Sequence, residues 1–264
     1  MRLPEDFLGR VVFIIQNYGG SLLKGAGTTI LIALVGTVIG CLIGLIVGII
    51  QTIPVRKKDT LLRKIVIRTL KLIMNVYVEV FRGTPMMVQA MFIYYGSAML
   101  FEINMEMWFA AFFIVSINTG AYMAETVRGG ILSVPDGQTE GAKSIGMNHF
   151  QTMLYVILPQ AIRNIMPQIG NNLIINIKDT CVLSVIGTVE LFFATKSVAG
   201  TYYTFFEAYT ITMIMYLCMT VFFSKLLRII ENQLNGPENY SLATTDTLAY
   251  TSGLLKYPSK KEMD

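Results

Sequence analysis

The chain has 264 residues, of which 53% are hydrophobic and only 14% are charged. Soluble domains carry about 25% charged residues, so this deficit indicates a membrane protein. The net charge of +4 does not indicate nucleic-acid binding, because the basic residues lie where a bilayer would place them. Cys41, Cys181 and Cys218 have no metal-ligand spacing, and His149 has no ligand neighbours, so no metal site or disulfide framework is expected.

Residues 1–27 are predicted to form an amphipathic segment that lies in the membrane interface. Its apolar residues are spaced as on one face of a helix that does not cross the bilayer. Gly25 and Gly27 are predicted to end this helix. The first span then covers 28–50, which carries no charge and is long enough for ~30 Å of hydrocarbon at ~1.5 Å per residue.

A glycine stripe runs along the first span, and it recurs every four residues at Gly36, Gly40, Gly44 and Gly48. Such a stripe predicts close packing against another helix. A basic loop, 54–71, follows the span. Its Lys and Arg residues are Arg56, Lys57, Lys58, Arg63, Lys64, Arg68 and Lys71. The positive-inside rule makes this loop cytoplasmic and leaves the N-terminus outside.

The second predicted span, 73–100, contains the run Arg82, Gly83, Thr84 and Pro85 near its start. Pro85 is expected to kink the helix. Arg82 is spaced to pair with Glu79, three residues earlier on the same helix face. The acidic segment 101–107, which has no Lys or Arg, is predicted to be an external loop.

The third predicted span, 108–131, places Asn118, Tyr122 and Glu125 on one helix face. Polar groups inside a membrane usually face a cavity or a partner. We expect Asn118 and Tyr122 to line the translocation path. For Glu125 and Arg128 we expect a structural ion pair at the cytoplasmic end of the span.

The interval 133–159 is hydrophilic but orderly. A turn at 135–137 is followed by a predicted helix over 138–144, a break at Gly146 and a second helix that begins near Asn148. This helix–glycine–helix predicts a compact knob at the membrane surface, although an ordinary amphipathic loop helix has the same pattern. Three spans from an external N-terminus make the knob cytoplasmic.

The fourth predicted span, 161–189, is unusually polar. Asn172, Asn176 and Asp179 share one helix face, and Lys178 lies beside them. No lipid-facing helix tolerates this load, so the segment must be buried or must line water. We expect Asn172 and Asn176 to contact a substrate.

An outer connection over 188–206 and a fifth span over 208–227 complete the membrane region. Lys225 and Arg228 close the fifth span on the cytoplasmic side. The predicted fold is therefore an all-α membrane protein with five transmembrane helices in a permease domain, 28–232. A polar cytoplasmic tail, 233–264, follows.

The knob resembles the EAA loop of ATP-binding-cassette importer permeases. The matching residues are Glu140, Gly141, Ala142, Gly146, Leu158 and Pro159. Gly141 stands where the family has its middle alanine. A second resemblance narrows the family to permeases for polar amino acids. It consists of the run Phe81 to Pro85 followed by Gln89, and of Lys178 and Asp179 ahead of Cys181, where the family usually has Ser.

This resemblance implies a transport subunit that is not an enzyme and that binds no cofactor. ATP and Mg²⁺ would bind to a separate ATPase dimer that grips the cytoplasmic knob. A second permease subunit, the same or homologous, would complete the translocation path. An external solute-binding protein would deliver the amino acid. The expected location is the inner membrane of a bacterium, with the protein surrounded by lipid and with its C-terminus in the cytoplasm.

Three alternatives remain open. An ion-driven secondary carrier would use Glu125, Lys178 and Asp179 as an ion relay, but it would leave the knob unexplained. A permease of the same architecture could carry another small solute. A membrane scaffold or sensor would have little reason to bear a polar fourth span.

Overall fold

The computed structural model describes residues 3–55 and 59–235, and every regular element in these ranges is a helix. The predicted all-α fold is therefore confirmed. The predicted tail from residue 236 onward and the basic residues Arg56, Lys57 and Lys58 lie outside the described ranges. The helices are α1 (Phe7–Thr52), α2 (Leu61–Gly83), α3 (Met86–Phe101), α4 (Met107–Leu132), α5 (Asp136–Ser144), α6 (His149–Thr152), α7 (Leu158–Asp179), α8 (Leu191–Tyr202) and α9 (Phe205–Asn235). A π-helical turn, Met153–Ile157, joins α6 to α7, and a 3₁₀ segment, Thr180–Ile186, follows α7.

Helix α1 runs unbroken for 46 residues, so the predicted helix end at Gly25 and Gly27 is wrong. At ~1.5 Å per residue it is ~69 Å long, more than twice the thickness of the hydrocarbon core. Gly25 serves close packing: a Cβ there would lie 2.9 Å from the Cα of Leu191. A glycine weakens a helix by only about 1 kcal/mol, which is less than such packing can return. Within the described residues, no helix boundary therefore falls at residue 27.

The glycine stripe of α1 packs against α4, as its spacing predicts. Backbone or Cβ atoms of Val115, Thr119, Met123 and Val127 occupy the space that side chains at the four glycines would need. All four of these α4 residues are buried, and Val115 is completely inaccessible. The two helices therefore meet almost backbone to backbone, and this seam forms the centre of the chain.

The second predicted span is divided in two, because α2 ends at Gly83 and α3 begins at Met86. Pro85 has no amide hydrogen to continue α2, and it lies at the N-cap of α3. Helix α2 also begins earlier than predicted, at Leu61, where Thr60 caps it. More than half of the predicted basic loop is thus helical, because its apolar residues recur at helical spacing among the lysines and arginines.

The predicted outer connection contains helix α8. Glu190 caps its N-terminus, accepting hydrogen bonds from the amides of Phe192 and Phe193 at 2.8 and 2.7 Å. Leu191 and Val198 on α8 pack with Ile14 and Leu22 of α1 and with the start of α9. The segment is therefore part of the core rather than a loose loop. No helix was predicted here, because its burial depends on residues distant in sequence.

Within the described ranges, α1, α4 and α9 are long and apolar enough to cross a bilayer. The α6–α7 unit with its 3₁₀ extension, together with α8, adds a fourth crossing if the two parts, bent by 55°, count as one span. Five spans therefore stay a prediction.

Replacement of Gly44 by alanine tests the α1–α4 seam. The new Cβ would lie 2.8 Å from the amide nitrogen of Ala124, and backbone cannot move aside cheaply. We expect Gly44→Ala to destabilise the protein by about 1–3 kcal/mol and to lower its thermal unfolding temperature. Unfolding of the detergent-purified protein, followed by circular dichroism, measures this.

Gly27→Ala is the matched control, because no heavy atom lies within 4 Å of a Cβ at that position of the same helix. Alanine is favoured over glycine in helices, so this variant should melt at or above the wild-type temperature. Equal unfolding temperatures for the two variants would contradict the proposed role of the seam.

Candidate functional site

The predicted knob exists, and local interactions determine its shape. Helix α5 ends in a Schellman motif, in which the Gly146 amide donates to the Lys143 carbonyl at 3.0 Å and the Met147 amide to the Ala142 carbonyl at 3.1 Å. Gly146 has a φ of +86°, which explains why glycine occupies this position. Both helices of the knob begin close to their predicted positions.

The second helix of the knob, α6, begins with a capping box. The backbone N–H of Gln151 donates to the Asn148 side-chain oxygen, and the backbone N–H of Asn148 donates to the Gln151 side-chain oxygen, both at 2.9 Å. The π-helical turn then carries the chain into α7, whose first turn contains Leu158 and Pro159. Proline is tolerated there because the first amides of a helix need no internal acceptor.

The knob is a polar segment of the sequence, but its outer surface carries several exposed apolar side chains. Ile145 is 78% exposed, Phe150 71% and Tyr155 68%. Glu140 and Gly141 are exposed as well, whereas Ala142 is buried beneath them. Exposed apolar side chains on a polar background indicate a surface that another protein covers.

The knob is connected to both helices that flank it. The side-chain amide of Asn164 on α7 donates to the hydroxyl of Ser133, which follows α4, at 3.1 Å. The side-chain amide of Gln160 donates to the side-chain oxygen of Gln138 on α5 at 3.4 Å. Below these contacts, Ile131 and Val134 share a core cluster with residues of the π-turn and α7. The ends of α4 and α7 and the knob thus form one packed unit.

The break between α2 and α3 is supported by a chain of amides. The side-chain amide nitrogen of Gln89 lies 2.9 Å from the backbone carbonyl oxygens of both Phe81 and Thr84. The side-chain amide of Asn118 donates to the side-chain oxygen of Gln89 at 2.9 Å. These bonds satisfy carbonyl groups that the end of α2 leaves without partners. Asn118 is buried within the single chain and fixes α4 to this break, and its predicted place on the path stays a prediction.

An ion-pair cluster lies beside the break. Arg82 pairs with Glu125 on α4 at 3.5 Å rather than with Glu79, so the predicted partner was wrong. The predicted pair of Glu125 with Arg128 is present. All three side chains are about 40% exposed, and the Arg82 guanidinium lies 5.7 Å from the ring centre of Tyr122. Tyr122, at 42% exposure, is the one predicted path residue that is open in the single chain.

The two asparagines of α7 are buried. The Asn176 amide donates to the hydroxyls of Thr37 at 2.7 Å and Thr119 at 3.0 Å, which joins α1, α4 and α7. The Asn172 amide donates to the Gln168 carbonyl at 3.0 Å and approaches the Met123 sulfur at 3.2 Å. The polar fourth segment is therefore accommodated by burial, one of the two possibilities that the sequence left open. Direct contact of these asparagines with a substrate stays a prediction.

Lys178 and Asp179 lie at the end of α7 with exposed side chains. Within 3–55 and 59–235, no group of three His, Cys, Asp or Glu residues could hold a metal ion.

Sequence reasoning missed the structural role of Glu190. It is completely buried, and besides capping α8 it accepts a hydrogen bond from the Tyr216 hydroxyl at 3.0 Å. An acid directly before an apolar run is a helix N-cap signal that was available in the sequence.

The comparison with known families agrees with this geometry. Residues 66–235, more than half of the chain, match the family described as "Binding-protein-dependent transport system inner membrane component". The chain belongs to this family. It is therefore a permease subunit and a multi-pass inner-membrane protein, as predicted.

Two relatives are curated permeases. The glutamine transport system permease protein GlnP of Escherichia coli (strain K12) is 38% identical over 160 residues, which cover 60% of this chain and 73% of the relative. The probable amino-acid permease protein YxeN of Bacillus subtilis (strain 168) is 38% identical over 165 residues, or 62% of this chain and 74% of the relative.

Two solved structures share the fold. A crystal structure of an amino acid ABC transporter with histidines has a TM-score of 0.73 and 36% identity, and the match covers 86% of this chain and 98% of that one. An inward-facing structure of the MetNI methionine ABC transporter has a TM-score of 0.59 at 18% identity, over 79% and 95% of the two chains. The second supports the fold alone.

The Schellman motif can be tested by two glycine substitutions in α5 and its cap. Gly146→Ala forces a side chain into a positive φ, which costs about 1–2 kcal/mol. We expect faster amide hydrogen exchange across 136–152 in this variant, measured by mass spectrometry. Gly141→Ala should slow exchange or leave it unchanged, because a helical alanine at that position meets no atom within 4 Å. Equal protection in both variants would mean that the turn does not depend on Gly146.

Proposed function

We propose that this chain is the permease subunit of an ATP-binding-cassette importer for amino acids, driven by a separate ATPase. The observation that carries the proposal is the knob: a locally determined helix–glycine–helix with an apolar outer surface, joined to two core helices. The amino acid class is supported by the names of the relatives, a glutamine permease and a probable amino-acid permease, and by the amino acid transporter structure.

In this proposal, an ATPase subunit covers Ile145, Phe150 and Tyr155. ATP and Mg²⁺ bind to the ATPase pair and not to the permease. When the ATPases close, the knob moves as a rigid body, because α5 and α6 are fixed to each other by their caps. The hydrogen bonds of Gln160 and Asn164 transmit the movement to α4 and α7.

Two permease subunits would enclose the path, with an external solute-binding protein above them and lipid around them. The exposed apolar faces of α2 and α3 support a second subunit, because only a few of their side chains are buried within the single chain. The N-terminus would be outside and the C-terminus in the cytoplasm.

For the path itself we propose that Tyr122 and Arg82 contact the substrate, since both are exposed and face each other. Asn118, Asn172 and Asn176 would form the wall behind them. An amino acid brings charged α-amino and α-carboxyl groups, which need donors and acceptors to offset lost hydration.

A reconstitution experiment tests the energy source. Proteoliposomes containing the permease, its ATPase and its binding protein should take up radiolabelled L-glutamine only when ATP reaches the ATPase. A proton or sodium gradient without ATP should give no uptake. Uptake that follows the ion gradient and survives removal of the ATPase would instead identify a secondary carrier.

The docking surface is tested by Ile145→Ser and Phe150→Ser. Loss of a buried Ile or Phe contact is worth about 1.5–3 kcal/mol, so each variant should retain the ATPase at least tenfold less well in co-purification. Ile103→Ser, in the loop between α3 and α4, is the matched control, because Ile103 is 53% exposed at the opposite end of α4. ATPase retention equal to that of the control would refute the assignment of this surface.

A further inference from the structure

A polar cavity of about 390 Å³ lies between the end of α1, the middle of α2 and the last turns of α4. Six polar side chains line it: Gln51, Lys71, Asn75, Glu79, Glu125 and Arg128. It lies at the end of the bundle that carries the knob, since α4 leads directly into α5. Its size is in the range of small-molecule sites, which are about 300–1,000 Å³.

Two of the four charges in this cavity are separated along its length. Helices α2 and α4 are antiparallel, because Val78 packs near Ala124 whereas Phe81 contacts Asn118. Lys71 on α2 and Arg128 on α4 are therefore both nearer the knob. Glu79 lies about two turns farther from the knob than Lys71, whereas Glu125 lies only three residues from Arg128 and pairs with it. Lys71 therefore carries the charge nearer the knob and Glu79 the charge farther from it, and the four charges of the lining sum to zero.

Two of these charges are available to a ligand. Among the described residues, neither Lys71 nor Glu79 forms an ion pair or hydrogen bond, although both line the same cavity. They lie eight residues apart on α2, or ~12 Å along the helix axis, and flexible side chains reach toward the space between them. Glu125, in contrast, is already paired with two arginines.

Two amides lie between the charged ends. The side-chain amide nitrogen of Gln51 donates to the side-chain oxygen of Asn75 at 2.9 Å. The Gln51 carbonyl oxygen is buried and accepts no hydrogen bond within the described part of the chain. An acceptor without a donor, beside a side-chain amide, suits a ligand that carries an amide of its own.

We propose that this cavity is a cytoplasmic-side binding site for a neutral amino acid with an amide side chain. Its carboxylate faces Lys71, its ammonium group faces Glu79, and its amide contacts Gln51. The inference rests on the proposed transport function, and it adds a site on the exit side of the path. A zwitterionic lipid headgroup offers a similar pair of charges, so the experiment must separate the two sources.

The test uses the complete permease–ATPase complex in nanodiscs of phosphatidylglycerol, which has no amino group. Equilibrium binding of radiolabelled L-glutamine is measured without nucleotide. Lys71→Gln and Glu79→Gln should each raise Kd about tenfold, as expected for loss of a hydrogen bond to a charged group. Lys71→Arg and Glu79→Asp, which keep the charges, should restore most of the binding and show that the fold is intact.

Ligand analogues assign each charge. L-glutamine methyl ester lacks the carboxylate charge, so Lys71→Gln should not weaken its binding further. Glutaramate lacks the α-amino group, so Glu79→Gln should not weaken its binding further. Arg63→Gln is the control substitution, because Arg63 lies on the same helix outside the cavity and pairs with Asp59.

The outcomes distinguish this inference from the proposed function. If the complex imports glutamine with ATP, but Lys71→Gln and Glu79→Gln bind glutamine with the wild-type Kd, the site is overturned and the transport function stands. Failure to import any amino acid overturns the function itself. Loss of glutamine binding when phosphatidylethanolamine replaces phosphatidylglycerol would show that a lipid headgroup occupies the cavity, and it would also overturn the proposal.

Discussion

The rest of the structure depends on the close approach of α1 and α4. In lipid, burial of apolar side chains drives helices together only weakly, so van der Waals packing between close backbones must supply the attraction. Glycines at every fourth position of α1 give α4 a groove as long as the span. Once α4 is held there, its two other faces meet the α2–α3 break and α7. The predicted path residues Asn118 and Tyr122 therefore take their positions from a seam to which neither contributes a side chain.

Buried amides complete what the seam begins. A polar side chain in a membrane must find a partner inside the protein, because lipid offers none. Asn176 finds two hydroxyls on α1 and α4, and Asn118 finds Gln89. These asparagines act as braces at three-helix junctions. The polarity of the fourth segment thus has a structural cause. The polar side chains that remain accessible are concentrated instead at Arg82, Tyr122 and the polar cavity beside them.

The features that sequence reasoning predicted correctly are those in which interactions are local. The knob was predictable because its turn, its glycine and its caps lie within a few residues of each other, and the Glu125–Arg128 pair spans less than one helical turn. Two of the clearest failures involve tertiary contacts. Gly25 suggests a helix end until Leu191 is seen against it, and Arg82 has a plausible local partner until α4 brings Glu125 closer. Spacing along one helix carries no information about which helix lies opposite.

The strengths of these contacts indicate where the chain can move. The seam, the Asn176 junction and the knob are held by backbone packing and by buried hydrogen bonds, which are costly to break. The Arg82–Glu125 bridge, by contrast, joins α2 to α4 through half-exposed side chains, and such pairs contribute at most about 1 kcal/mol. A movement that enters through the knob should therefore carry α4, α7 and the adjoining half of α1 together. The α2–α4 contact as a whole is stronger than this bridge, because the Tyr77 hydroxyl donates to the Ile117 carbonyl at 2.6 Å and the Asn118 side chain bonds to Phe81 and Gln89. The polar cavity lies where the ion pairs between these helices are half-exposed, so its charged side chains can rearrange at lower cost than the buried asparagines, which keep their partners.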